Sequence, residues 1–218
     1  MQLPNILIID YNLGNIFSVQ NACKYNGTNT IVSNDKKDIE SADAIILPGV
    51  GAFGDAMANM RKLDLIEPIK DFIHSKKPFM GVCLGMQLLF TESEEFGNHK
   101  GLDIIKGQIK KFPTSGSSNN KIKVPQVGWN KLINDKNTQW MNSPLSSINN
   151  DSFMYFVHSY FACPEDESVV LSKTVYEDIS YCSSVLKENI FATQFHPEKS
   201  AETGLNIYAN WLNNIHKK

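Results

Sequence analysis

The amino-acid sequence predicts an α/β fold: a central, mostly parallel sheet flanked by helices, with an additional antiparallel strand region. Three observations carry this. In the first 90 residues short apolar runs alternate with stretches of helical periodicity, the order expected of a doubly wound sheet. Residues 101–132 and 153–195 hold shorter alternating segments punctuated by Gly and Pro, which read as antiparallel strands. No internal repeat or linker divides the 218 residues, so a single domain over residues 1–218 is the simplest organisation.

Ile6-Leu7-Ile8-Ile9 reads as a buried strand, ended by Asp10 and the turn formers Asn12 and Gly14. From Asn15 to Tyr25 the apolar residues Ile16, Val19 and Cys23 recur at helical spacing, and Gly27 follows as a stop. Asn29–Ser33 and Ala44–Leu47 are the next strands, the latter running into Pro48-Gly49-Val50-Gly51. One helix is expected from Asp55 to Ser75, interrupted or kinked at Pro68. Lys77–Val82 makes a fourth strand and Leu84–Phe90 a helix. Thr114–Asn120 and Asn142–Asp151 are rich in Ser and Asn and read as exposed loops. Glu202–His216 closes the chain with an apolar helical stripe of Leu205, Ile207, Tyr208, Trp211, Leu212 and Ile215.

Hydrophobic residues make up 42 % of the chain, and a protein of this length buries roughly 70 % of its unfolded surface without covalent staples. The 21 basic and 23 acidic residues exclude a polybasic tail and intrinsic disorder. Arg61 is the single arginine, which argues against a nucleic-acid partner, since such interfaces favour the two-pronged guanidinium. Cys23, Cys83, Cys163 and Cys182 are far apart, forming neither a disulfide framework nor a thiolate zinc site. With no signal-like leader and no run near the ~20 apolar residues of a membrane span, a reduced, cytoplasmic location is expected. No metal and no cofactor is expected.

The strongest local signal is Gly81-Val82-Cys83-Leu84-Gly85, a G-x-C-x-G sequence between a predicted strand and a helix. This is the cysteine form of the nucleophile elbow, whose sharp turn strains the central residue and tolerates only small neighbours two positions away. It lifts the thiol toward a helix N-terminus, which favours a thiolate. A thiol nucleophile needs a base and the base an orienting group. His196-Pro197-Glu198 follows a predicted strand, and in an extended segment residues i and i+2 project to one side, so Glu198 is placed to orient His196. Pro48-Gly49-Val50-Gly51 could bring backbone N–H groups to an oxyanion, although an ordinary Gly-rich turn has the same composition. It lacks the lysine and spacing of a phosphate loop. His158 reads equally as a site residue or a satisfied strand-end histidine.

Together these segments resemble the class I (triad) glutamine amidotransferases. Gly81–Gln87 matches the family's nucleophile motif and Gln194–Ser200 its His/Glu motif. Asp10–Asn15, Pro48–Phe53, Val124–Asn130 and Tyr155–Tyr160 extend the likeness over residues 5 to about 213, toward the glutaminase subunits of histidine biosynthesis. The resemblance implies the class I amidotransferase fold and hydrolysis of glutamine to glutamate and ammonia through a thioester on Cys83, with His196 as base and acid and Glu198 orienting it. It implies an oxyanion hole from Leu84 and a peptide near Val50, and glutamine held by Gly51, Gln87, Glu95, Ser159 and Tyr160. Glu95 is a suitable partner for the substrate's α-ammonium, though its setting in Glu92-Ser93-Glu94-Glu95 also suits an exposed helix-end acid.

In that family the ammonia acceptor sits on a (β/α)8-barrel cyclase partner, and Asn15, Trp129, Tyr155 and Lys199 match positions at or near the heterodimer interface. The resemblance also implies that the isolated chain is a poor glutaminase until its partner binds. One position departs: where members of the histidine pathway commonly carry His in Pro-His-x-Gly-Trp-Asn, this chain has Gln126. Gln126 and the Ser/Asn-rich stretch leave open a paralogue that supplies ammonia to a nucleotide-linked sugar in surface-polysaccharide synthesis. A stand-alone Cys hydrolase of the same fold is a further alternative, against which Gln87 and the interface-like motifs argue.

Overall fold

β1 (Ile6–Ile9) is buried at every position because both faces of the strand are covered. The structure, a computed structural model, describes residues 4–115, 121–134 and 140–216. α1 (Ile16–Tyr25), β2 (Thr30–Ser33), α2 (Lys36–Ser41), β3 (Ala44–Leu47), α3 (Phe53–Lys62), α4 (Ile66–His74) and β4 (Phe79–Val82) follow in order. Strand side chains alternate between two cores. Leu7, Ile9, Ile45 and Leu47 enter the one shared with Ile39, Met57 and Phe72 of α2, α3 and α4. Ile6, Ile8, Ala44 and Ile46 enter the other, with Val19 and Cys23 of α1 and Trp211 of the last helix.

The expected helix over residues 55–75 is two helices, and the break falls before Pro68. α3 ends in a Schellman motif: Asp64 takes a left-handed φ of 54°. Asp64 N–H bonds Arg61 O at 3.0 Å and Leu65 N–H bonds Met60 O at 2.9 Å. Pro68 then sits in the first turn of α4, where a missing N–H costs no helical bond. α2, for which the sequence carried no expectation, is started by the Asp35 carboxylate accepting from Lys37 N–H at 2.8 Å.

After β4 the helix is a single turn, α5 (Leu84–Gln87), shorter than the expected Leu84–Phe90. Phe90 instead opens β5 (Phe90–Ser93), which leads to β6 (His99–Lys100) and β7 (Ile105–Lys111). β8 (Gln126–Lys131) and β9 (Phe153–His158) form a separate antiparallel ribbon. β10 (Tyr160–Pro164), β11 (Val170–Tyr176), β12 (Ile179–Lys187), β13 (Ile190–Thr193) and α6 (Ala201–His216) complete the chain. The main sheet runs β2-β1-β3-β4-β13-β12-β10-β7-β5-β6, with β11 on β12. The second half is thus not wholly antiparallel. β13, buried at every position, returns to the centre parallel to β4, and β5 is parallel to β7.

The stretch Asn142–Asp151 is not simply exposed: Ser143, Leu145 and Ile148 are buried beside Trp140, whose indole N–H bonds Leu171 O at 2.7 Å. From residue 116 on, the other Ser/Asn-rich stretch lies outside the described residues. None of the described helices is long and apolar enough to cross a membrane.

Candidate active site

Because β3, β4 and β13 are parallel neighbours, their carboxyl ends open on one edge of the sheet. Leu47 leads there into Pro48–Gly51, Val82 into Cys83 and Thr193 into His196. Three segments far apart in sequence are thereby brought to one place.

Cys83 has φ 54° and ψ −111°, the strained turn expected of an elbow. A Cβ on Gly85 would lie 1.9 Å from the Leu47 carbonyl oxygen, and one on Gly81 would lie 2.9 Å from Gly85 O. Both glycines are needed because strand and helix pack backbone to backbone. With one turn of helix behind the elbow, local N–H groups such as that of Leu84 contribute more than a macrodipole.

His196 is extended, with φ −102° and ψ 93°, while Glu198 belongs to a 3-10 turn over Pro197–Lys199. The turn rather than a strand brings the pair together, and His196 Nδ1 lies 2.8 Å from Glu198 Oε1. Both side chains are buried. Burial opposes a charge on His196, but Cys83 and then Glu198 outweigh it and hold the imidazole pKa well above the ordinary histidine value. Nε2 makes no hydrogen bond among the described residues.

A cavity of about 260 Å³ opens above Cys83 and His196, and Val50, Gly51, Leu84, Gln87, Glu95, Ser159 and Tyr160 all line it. Gly51 takes φ +102°, a conformation other residues rarely adopt, and Val50 is exposed beside it. Glu95 is not at a helix end. It follows β5 and accepts from Phe53 N–H at 2.6 Å, at the start of α3. Burial raises its carboxyl pKa, partly offset by that bond. His158, left open by the sequence, also lines the cavity, with Nδ1 2.9 Å from Tyr160 O and Nε2 3.3 Å from the Tyr181 hydroxyl. Burial pushes its pKa down to about 4, so it is neutral near pH 7.

Two residues of the site had no expected role. Tyr11 donates its hydroxyl to Pro48 O at 2.8 Å. The Gln194 amide lies 3.7 Å from Cys83 Sγ. Gln194 belonged to a matched motif, but nothing in its local pattern shows where its side chain turns. Among the described residues no cluster of His, Cys, Asp and Glu could hold a metal ion.

The β8–β9 ribbon adjoins the site. In its register Val127 faces Val157 and Trp129 faces Tyr155. Val127, Trp129, Phe153 and Val157 are all exposed, making an apolar outer face. Trp129 meets Tyr155 edge-on at 6.2 Å, and Lys199 Nζ sits 6.0 Å over the Tyr155 ring. Asn15 stands at the start of α1, on a loop whose Gly14 packs against Pro48. Gln126 points inward and is buried, accepting from the Tyr181 hydroxyl at 3.0 Å. Its departure from the histidine-pathway pattern therefore falls inside the protein, away from the apolar face.

Residues 7–215 match the family described as glutamine amidotransferase class-I. The imidazole glycerol phosphate synthase subunit HisH of Sulfurimonas denitrificans is 45 % identical over 206 residues, covering 94 % of this chain and 96 % of that protein. HisH of Aquifex aeolicus is 44 % identical, covering 97 % of each chain. HisH 1 of Legionella pneumophila is 40 % identical, covering 96 % of this chain and 99 % of its own. Among solved structures, PurLQS from Thermotoga maritima superposes with a TM-score of 0.71 at 20 % identity, covering 98 % of this chain and 99 % of the other. The glutaminase domain of Trypanosoma brucei CTPS gives 0.65 at 14 %, covering 99 % and 94 %; at these identities both show the fold alone.

Proposed function

This chain belongs to the class I glutamine amidotransferases, and from that premise we propose that it is the glutaminase subunit of an imidazole glycerol phosphate synthase. The observation that carries this reading is its 40–45 % identity to HisH subunits over nearly the whole of both chains. The site supplies the chemistry. The proton of the Cys83 thiol is held by His196 as an imidazolium beside Glu198, and the thiolate Sγ attacks the carboxamide carbon of glutamine. The negative charge that develops on the carboxamide oxygen is met by the N–H groups of Leu84 and of a peptide at Val50, each donor worth about 10²–10³ in rate. Collapse of the tetrahedral intermediate expels ammonia, which takes its third proton from His196, and leaves a glutamyl thioester. Water, deprotonated by His196, then releases glutamate and restores the thiol. Glu198 holds the imidazole in the tautomer that keeps Nε2 toward the thiol. Gly51, Gln87, Ser159 and Tyr160 hold the substrate, and the Glu95 carboxylate pairs with its α-ammonium.

Residues 1–218 act as one glutaminase domain, working in the cytoplasm without a cofactor. The outer face of the β8–β9 ribbon, with Trp129, Tyr155 and Lys199, together with Asn15 at the start of α1, receives a (β/α)8-barrel cyclase partner in a heterodimer. Val50, exposed at the rim of the same cavity, links docking to chemistry: its peptide N–H turns toward the oxyanion once the partner is bound.

The test is ammonia release from glutamine by the chain alone and with the histidine-pathway cyclase and its ribonucleotide ligand. Strong stimulation by the pair, abolished by Cys83→Ala, is the expected result. Full turnover by the chain alone overturns the gating. No stimulation, with Cys83 still labelled by a glutamine-mimicking electrophile, overturns the pathway assignment.

A further inference from the structure

The orientation of one buried amide at the nucleophile follows from a backbone carbonyl two hydrogen bonds away. Gln87 Nε2 lies 2.9 Å from Tyr160 O and 2.9 Å from Gln194 Oε1. A peptide carbonyl can only accept, so the Gln87 amide nitrogen must face it. That nitrogen carries two hydrogens, and the second points at Gln194, which must therefore present its oxygen. The Gln194 NH₂ group is then turned to the only side left, where it lies 3.7 Å from Cys83 Sγ. Gln194 is fully buried and Gln87 nearly so, so neither end of the chain is exchanged with bulk water.

We infer that Gln194 is a catalytic residue that donates a hydrogen bond to the Cys83 sulfur and favours its thiolate, and that Gln87 is a positioning residue fixing the direction of that donor. Both amide hydrogens of Gln87 are engaged in this relay, which leaves its side-chain oxygen as the group it can offer to a bound glutamine. A donor aimed at sulfur stabilises the charged form over the neutral one. It also limits the positions open to the sulfur at the end of a strained turn. The titratable groups facing the thiol from the surrounding elements are His196, backed by Glu198, after β13, and Tyr11 after β1. Tyr11 is kept neutral by burial, and its hydrogen is given to Pro48 O. Gln194 therefore adds an uncharged side-chain donor whose effect does not depend on the protonation of a neighbour.

This inference rests on the glutaminase reading of the site, but its test needs neither glutamine nor a partner. The rate at which Cys83 of the full chain is alkylated by iodoacetamide is followed against pH, with peptide mass spectrometry separating it from the other cysteines. Gln194→Met keeps the volume and removes the donor, and the half-maximal pH is expected to rise by about one unit, with a roughly tenfold slower rate below it. Gln87→Glu does not touch the thiol, yet it places oxygen against Tyr160 O and Gln194 Oε1 and reverses the relay, so it shifts the profile the same way. Gln87→Met removes the orienting donor and gives a smaller shift. An unshifted profile in folded Gln194→Met protein overturns the inference. If that variant does not fold, an unshifted profile in Gln87→Glu does so. Either failure leaves the glutaminase reading intact, since that stands or falls on ammonia release.

Discussion

The Tyr11 hydroxyl donates to the Pro48 carbonyl at 2.8 Å and so ties the loop after β1 to the first residue beyond β3. The same hydroxyl lies 2.3 Å from where a Cβ on Gly49 would be. The segment is thus held at its start, while Val50 beyond it is exposed. Tyr11→Phe leaves a buried carbonyl without its donor and is expected to lower stability by about 1–2 kcal/mol in urea unfolding. With the partner present, kcat should fall several-fold with little change in KM, because the oxyanion donor is misplaced rather than the substrate. Unchanged stability and turnover would show that Tyr11 does not hold the oxyanion segment in place.

At Gly85, a methyl group has no room: its carbon would sit 1.9 Å from Leu47 O, an atom of the sheet itself. Gly85→Ala must separate β3 from α5 and is expected to cost more than about 3 kcal/mol, or to abolish soluble expression. Cys83→Ala relieves the turn's chemistry but not its packing, so it should fold with a near-normal Tm and release no ammonia. Comparable Tm values for the two variants would show that the elbow is less tightly packed than its geometry requires.

Glu198 acts through His196 and has no contact with the cavity of its own. Glu198→Gln keeps the shape and removes the charge, so the imidazolium loses its partner. Partner-stimulated kcat is expected to fall by about 10²-fold, with KM nearly unchanged. A large rise in KM alone would place Glu198 in substrate binding instead.

His158 makes stability depend on pH. Its pKa is about 4 in the fold, lowered by burial, against an ordinary value of 6.5. Between these values the unfolded chain takes up a proton that the folded chain refuses, so stability falls as pH drops from about 6.5 toward about 4. The full effect is on the order of 3 kcal/mol. Urea midpoints across this range should fall less steeply for His158→Gln than for the parent. Parallel curves would show that His158 is protonated in the folded protein.

Trp129 is half exposed on the ribbon and packs edge-on against Tyr155. Trp129→Ala should change stability by no more than about 0.5 kcal/mol, as for other surface sites. Affinity for the cyclase partner should drop by about 2 kcal/mol, or roughly 30-fold, in calorimetry. Partner binding at full strength would move the docking face elsewhere.

The elbow was legible because its pattern is local. Glycine, cysteine and glycine at alternate positions after an apolar strand are read within five residues, although the atom that forbids a side chain at Gly85 is Leu47 O of the neighbouring strand. The parallel half was legible for a similar reason: strands covered on both faces must be apolar at every position, as β1 and β3 are. Where the sequence misled, either a local motif its residue types do not announce or a tertiary contact decided the outcome. Pro68 looked like a helix breaker but lies in a first turn, and the break is made by Asp64 in a left-handed conformation. Phe90 looked helical because it continues an apolar run, but Ile105 is its partner in a strand. Nothing within residues 189–194 shows that β13 pairs with β4, more than 100 positions earlier.

By itself the sequence determined the chemistry: a thiol on a strained turn, a histidine with a carboxylate two residues on, and a glycine-rich segment able to offer N–H groups. Each is a short pattern that can be read within a few residues. The tertiary structure alone decided how these parts face one another. It placed Gln87 against Gln194 across 107 residues of chain and turned one amide onto the nucleophile. It also gathered Trp129 and Tyr155 on one side of a ribbon while burying Gln126 on the other. Such contacts depend on strand order and register, which reflect burial summed over the whole sheet, and no short stretch of sequence holds that sum.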